Sequence, residues 1–432
     1  MRSKLLLVIL LYASYLHAQG EKKLDSTQVT DSQKYQQQPG LALAASKIFF
    51  SDKRYSISGF GEFNFVPSQG EVDTSIGDLE LYYSGLYRYA TFFGYRLTDK
   101  LIWNSEIQFE YIHYKNEESH LEFVFEAFID YLYKDYLKAR IGFYPLTIGY
   151  VNNNDEPIMF YSVNRSDVER LIVPSTWIEF GIMLYGNLSP DWSYALGFSQ
   201  GLNSQHFLGS TWIRQGREIR FDTPKSISIN PQINYSGINN LVLSASGYFG
   251  ASGQGATINS NNQQEDIKGN IKLGTAFAKY DWRNFRFVSV GTYGQLSDTD
   301  KIYTQTVDDT GYGQVLGKDV YGYLFELGCD ILPYLRKNKT VRPGSSFFHN
   351  NQEMKLSLFS RYERLNTHYK ISPNLEQFPR AENNLSIWTF GINFNTTEHI
   401  VLKANYQHRT NFNLTGPNHI NHTFEAGLGF IF

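Results

Sequence analysis

From Tyr55 to the last residue, apolar side chains recur at every second position, in stretches too long and too numerous for a helical chain. The clearest stretch sets Leu101, Trp103, Ile107, Phe109 and Tyr111 on one face and Asn104, Glu106, Gln108 and Glu110 on the other. The next repeats it, with Leu121, Phe123, Phe125, Ala127, Ile129 and Tyr131 opposing Glu122, Glu126 and Asp130. Only a β-strand places successive side chains on opposite faces, so this alternation predicts strands. About sixteen follow: 55–65, 79–96, 101–114, 121–133, 137–144, 177–186, 191–201, 226–235, 241–250, 270–280, 285–296, 319–332, 353–365, 385–394, 400–409 and 422–432. Most reach the roughly ten residues that a tilted strand needs to cross a bilayer.

A water-soluble sandwich would alternate too, so the connections carry the decision. Tight turns at 98–100, 134–136, 187–190, 236–240, 281–284 and 395–399 interleave with long links at 145–176, 202–225, 251–269, 297–318 and 366–384. Short turns at one rim and long loops at the other are the asymmetry of an outer-membrane barrel. The basic segment Leu335–Asn350 falls on the short-turn side and breaks the rule, and Pro231 inside a strand predicts a bulge or a shifted boundary. Composition agrees. Tyr (31) and Phe (32) are abundant, yet mean hydropathy is only −0.36, and no mature apolar run approaches a membrane helix. A barrel with a polar lumen keeps such an average, so the fold expected is an all-β transmembrane antiparallel barrel of about sixteen strands. Sixteen strands enclose an aqueous channel, whereas about eight are filled by their own side chains.

Three regions divide the chain. Residues 1–18 form a signal peptide: Arg2 and Lys4, the apolar run Leu5–Leu11, and Leu16-His17-Ala18 before the cleavage point. Residues 19–52 form a periplasmic leader. It is Gln-, Ser- and charge-rich to about Gly40, while Leu41–Phe50 suits either a short helix or an extended approach to the first strand. Residues 53–432 form the barrel. Cleavage leaves 37 basic against 42 acidic side chains, with no basic surplus for a nucleic-acid partner. The one cysteine, Cys329, lies on the lipid-facing phase. No nucleophile-elbow serine, glycine-rich phosphate loop or metal-ligand spacing stands out, so neither catalysis, cofactor nor metal is expected.

The chain ends Phe424, Ala426, Leu428, Phe430, Phe432, which resembles the terminal signature of bacterial outer-membrane barrels that their assembly machinery reads. Four internal strings, Lys138 to Pro145, Val168 to Pro174, Phe359 to Arg364 and Val401 to Gln407, resemble the phosphate-selective porin O and P family of Gram-negative outer membranes. The resemblance implies a homotrimeric porin in the outer membrane, surrounded by lipid, passing small hydrophilic solutes with anions such as phosphate as candidates. It also implies a third outer loop, here Pro145–Ser175, folded inward to narrow the pore.

Strand phases place Arg88, Arg96, Lys138, Arg140, Lys272, Lys355, Arg361, Lys403 and Arg409 in the lumen, against a larger set of carboxylates including Glu62, Glu179, Glu326, Glu363 and Glu425. Selectivity follows the narrowest ring rather than such a census. The pore-lining candidates are therefore Arg165 and Arg170 on the inward loop, with Arg88, Arg140, Arg361 and Lys403 on the wall. Regular hairpins would set Arg88 against Glu110, Glu110 against Glu126, Glu106 against Asp130, and Asp130 against Arg140, a mixed-sign network bracing the wall. An outer-membrane hydrolase, or an adhesin with a lumen plugged by bulky residues, is the alternative. The small polar inward positions Ser226, Ser228, Asn230, Gln232, Ser244 and Ser246 argue against a plug.

Overall fold

The computed structural model describes residues 38–66, 75, 85–113, 119–218, 223–260, 263–336, 354–414 and 420–432. The signal segment 1–18, the leader up to residue 37 and most of the 335–350 segment lie outside the described residues. All sixteen expected strands are present. They are β1 (Tyr55–Phe65), β2 (Gly85–Arg96), β3 (Leu101–His113), β4 (His120–Lys134), β5 (Leu137–Pro145), β6 (Ile178–Asn187), β7 (Trp192–Gln200), β8 (Ile227–Tyr235) and β9 (Leu241–Gly250). After a small loop hairpin, β10 (Thr257–Ser260) with β11 (Gln263–Asp266), come β12 (Ile271–Trp282), β13 (Phe285–Leu296), β14 (Asp319–Asp330), β15 (Lys355–Lys370), β16 (Asn384–Asn395), β17 (Ile400–Asn411) and β18 (Ile420–Ile431). Every barrel strand pairs antiparallel with its sequence neighbour, and β1 pairs with β18, so the sheet closes without an edge. Tight turns and long links sort to opposite rims. This is an outer-membrane barrel.

Outward side chains stay uncovered: Ile107 is 62% exposed, Phe123 70% and Phe424 68%. Apolar surface of that extent all round a molecule is tenable only against lipid. Near the turn rim Trp103, Tyr131, Tyr133, Tyr136 and Trp192 form an aromatic band, with the Lys134 ammonium 5.6 and 5.7 Å from the Tyr133 and Tyr136 rings. Pro231 causes neither a bulge nor a boundary shift. The β8–β9 ladder is interrupted between Ile229 and Gln232 and resumes in the same register. There the Asn230 side-chain amide donates to Gly247 O at 2.6 Å, supplying a donor beside the residue that lacks one.

Lys272 is a correction, since it points outward on β12. The inward phase there is Ile271, Leu273, Thr275 and Phe277, apolar because folded loops fill this side of the lumen, with Phe277 against Tyr150 at 5.2 Å. Residues 38–50, expected as the end of a periplasmic leader, lie within the barrel. Helix α1 (Leu43–Phe50) is packed on the inner wall of β1–β3. Leu41, Ala44, Ala45 and Ile48 are all buried, an i, i+3, i+4, i+7 stripe that signals one helical face. The Asn104 amide donates to Ala45 O, Ser58 to Ala44 O, Arg96 to Ile48 O and Arg140 to Pro39 O. A Cβ on Gly94 would lie 2.6 Å from Ile48 Cβ, so the wall is bare where the helix sits. A second helix, α2 (Thr299–Thr310), occupies the link after β13, and Gly311 at φ +80° ends it.

Closure ends at Phe432, whose N–H donates to Gly59 O at 2.9 Å and whose carbonyl accepts from Gly59 N at 3.0 Å. A Cβ on Gly59 would lie 2.5 Å from the Phe432 ring. Deleting Phe432, or Gly59→Val, should weaken the last seam, because in lipid each unpaired backbone group costs several kcal/mol. The expected outcome is a smaller folded fraction, read as the heat-modifiable band on unboiled gels. A fraction equal to the parent's would show that the seam closes without these residues.

Candidate functional site: the inner loop and its cavities

The link after β5, residues 146–177, leaves the outer rim and folds back into the lumen. Its base is tied where Leu146 N–H donates to Trp177 O at 2.8 Å. Gly149, at φ +73°, starts the inward turn; a Cβ there would lie 2.6 Å from Glu169 Oε1. That oxygen accepts from the backbone N–H groups of Tyr150 (2.5 Å) and Val151 (3.0 Å), clasping the two ends of the loop together. A buried π-helical turn, Val168–Ile172, presses Val168 and Ile172 against β14 at Gly322. Val163 and Pro157 likewise fill the space above Gly427 and Gly429 of β18. The wall has no side chains at the points of closest approach.

Polar wall residues hold the loop's backbone. Lys403 Nζ donates to Ser162 O (3.0 Å), Arg361 Nη1 to Ser162 Oγ (2.6 Å) and Asn393 to Tyr161 O (3.0 Å). Val163 N–H donates to Asn405 Oδ1 (2.8 Å), and Arg409 Nη2 to Asp167 Oδ2 (2.5 Å). Arg361 also pairs with Glu363 at 2.8 Å and Glu326 at 3.5 Å. Of the expected pore-lining residues, Arg361 and Lys403 thus sit under the loop. Arg140 sits beside α1, where Nε donates to Asp130 at 3.1 Å and Tyr185 OH donates to the same carboxylate at 2.6 Å. Arg88 pairs with Glu62 at 2.8 Å and Asp155 at 3.3 Å. Arg165 also pairs with Asp155 and donates to Thr176 Oγ1 at 3.0 Å, while Arg170 lies 3.6 Å from Asp167.

Two of the expected cross-strand pairs form and two do not. Arg88 stands opposite Glu110, and Asp130 opposite Arg140. Across β3–β4, however, Glu106 faces Glu126 and Glu110 faces Glu122. Strand β4 begins at His120, opposite Ile112, and the register moves by four residues from the one expected.

Two cavities flank the loop. The outer one, about 300 Å³, is bounded by Arg165, Arg170, Arg214 and Arg217 on the loop side and by Glu110 and Glu122 on the wall. The inner one, about 380 Å³, meets Tyr150, Asn154, Lys138, Lys279 and Asn234 above the turn rim. A space of only about 20 Å³ shares Phe160 and Arg165 with the first and Tyr150 with the second, and lies between them. Arg214 and Arg217 were not anticipated. They come from the link after β7, which folds inward through buried Phe207, Trp212 and Ile213. Arg214 donates to Arg170 O at 3.2 Å, and Arg217 to Ser175 O and Thr176 O. Large apolar residues in a nominally exposed link, followed by two arginines three positions apart, were the available signal.

Two loop carboxyls titrate out of their ordinary range. Burial pushes Glu156 up to about 7 against the hydrogen bond it accepts from Ala44 N–H of α1 and the attraction of Arg88. Burial also pushes Glu169 up to about 7, with Glu363 adding to it while the Tyr150 and Val151 amides and Arg165 oppose. Each has one oxygen, Oε2, that meets no donor among the described residues.

No family model matches the chain. A protein of Aquifex aeolicus described only as uncharacterized is 28% identical over 381 residues, which is 86% of this chain and 79% of that one. Among solved structures, the Salmonella typhi OmpF complex with daunomycin and the outer-membrane channel DcaP of Acinetobacter baumannii each give a TM-score of 0.51 at 10% identity. Each likeness covers 88% of this chain and 97% of the other. At that identity the likeness shows the fold. The chain has the barrel architecture shared by outer-membrane porins and channels, and the cell outer membrane is its location.

Arg140→Ala would leave Asp130 buried with only Tyr185 as donor, and would release Pro39. A cost of about 3–5 kcal/mol is expected for breaking one side of a fully buried pair. Adding Asp130→Asn should recover much of it, measured by urea midpoints of the folded barrel. The loop carboxyls give the opposite pH trend from a salt-bridged acid. Their folded-state values lie above the ordinary 4.5, so the stability they confer is complete below about pH 4.5 and is lost as pH rises through about 7. One such shift corresponds to ~3 kcal/mol. The parent should therefore be more stable at pH 5 than at pH 8. Glu156→Gln with Glu169→Gln, which keep an acceptor oxygen without a charge, should flatten that difference; an unchanged pH slope would locate its source elsewhere.

Proposed function

We propose that this chain is a passive diffusion channel for small hydrophilic solutes, with a preference for anions at its constriction and no catalytic step. The supporting observation is the convergence of Arg165 and Arg170 from one folded loop with Arg214 and Arg217 from another on a single cavity beside the small space that separates it from the inner one. An ion there is partly dehydrated and poorly screened, so local charge outweighs the acidic balance of the whole chain. The resemblance to the phosphate-selective porin family supports the same reading. It adds a homotrimer and inorganic phosphate as one solute to try.

Planar bilayers with a salt gradient test this. Stable conductance steps with an anion-selective reversal potential are expected. A unit charge about 6 Å from an ion in water is worth ~0.7 kcal/mol. Arg165→Ala, Arg170→Ala and Arg217→Ala should therefore each shift the permeability ratio toward cations by roughly threefold. A reversal potential unchanged in all three would remove these arginines from the ion path, and larger, noisier steps would assign them to pinning the loop.

A further inference from the structure

The outer cavity is lined by charges of both signs. Guanidinium groups come from the two folded loops, Arg165 and Arg170 from residues 146–177 and Arg214 and Arg217 from the link after β7, and from Arg88 of β2. Carboxylates come from Glu218 of the same link and from the wall, where Glu110 of β3 and Glu122 of β4 stand directly opposite each other. Like charges so placed repel, and neither carries an ion pair among the described residues. Glu110 accepts one hydrogen bond, from Gln108 at 2.9 Å. The wall's third acid in this cavity, Glu62, is already matched by Arg88 at 2.8 Å. On the loop side, the Arg217 guanidinium meets backbone carbonyls of Arg214, Ser175 and Thr176, and among the described residues no carboxylate within ion-pair distance. Across one cavity of about 300 Å³, two wall carboxylates that form no ion pair among the described residues thus face a guanidinium that forms none either, with Arg88 opposite Glu110 as the wall's own cation.

A simple anion would satisfy the arginines and leave Glu110 and Glu122 unmatched, and a simple cation the reverse. A solute carrying both charges satisfies both sides. The volume is that of about ten water molecules, at roughly 30 Å³ each, and suits a molecule the size of an amino acid or dipeptide. We propose that the outer cavity is a binding site for small zwitterionic solutes, with the carboxylate toward Arg165 and Arg217 and the ammonium toward Glu110 and Glu122. This rests on the reading of the barrel as a solute channel only in placing the cavity on the solute's route; the binding itself is measurable without conductance.

The experiment is calorimetric titration of the folded barrel in detergent with alanylalanine, its N-acetyl derivative and its C-terminal amide. Alanylalanine should bind at least tenfold more tightly than either derivative. Glu110→Gln with Glu122→Gln should bring alanylalanine down to the affinity of the N-acetyl form and leave the N-acetyl form itself unchanged. Arg217→Gln should weaken both carboxylate-bearing compounds and spare the amide. Equal binding of alanylalanine and its N-acetyl derivative would overturn the proposal, as would no binding of any of the three. Selective binding by a barrel that shows no conductance steps would uphold the site and overturn the channel reading instead.

Discussion

Everything in this molecule follows from the requirement that no backbone N–H or C=O be left unpaired in hydrocarbon. Sixteen strands meet it by closing on themselves, β1 against β18, with Phe432 and Gly59 exchanging the last two hydrogen bonds. Closure at that number encloses more volume than the wall side chains can fill. The chain uses the excess. Residues 38–50, the 146–177 loop and the link through Trp212 fold into it, and the lumen acquires an apolar core of its own around Trp177, Trp212, Tyr248 and Leu171.

That inner core explains which parts of the sequence were legible. Strand positions were, because lipid outside and water inside impose opposite demands on alternate residues, and 101–113 and 420–431 show it directly. The inward folding of the third loop was expected from resemblance rather than from any physical signal. Alternation lost its meaning where the lumen is itself apolar. On β12 both faces carry apolar residues, so Lys272 was assigned to the wrong one. The β3–β4 register was lost for a different reason. The sequence between His113 and His120 has no glycine or proline to fix the centre of the connection, and a shift of four residues preserves the in-out phase entirely.

The leader shows the same limit from the other side. Leu41, Ala44, Ala45 and Ile48 make an ordinary helical stripe, yet about two turns of helix are too short to stand alone in water. Its partner is a wall dispersed over β1, β2, β3 and β5, and over Glu156 of the inner loop. The stripe says that the segment packs but gives no hint of against what. The glycines on the wall carry the complementary half of that information: Gly94, Gly322, Gly427 and Gly429 are inward positions where a side chain would collide with the folded elements. In a barrel strand, an inward glycine marks a place where another backbone comes close.

The arginines then divide by what lies behind them. Lys403 donates to the inner loop's backbone, Arg361 to its Ser162 hydroxyl and Arg409 to its Asp167 carboxylate, while Arg140 is held by Asp130 and Pro39. Those cations act as scaffolding, since wall charges that face a folded loop are consumed in holding it. Arg165, Arg170, Arg214 and Arg217 ride on the folded elements themselves and border the outer cavity. Each loop that enters the lumen thus neutralises one layer of wall charge and presents another. A count of inward-facing strand residues therefore measures mainly the layer already engaged in holding the loops.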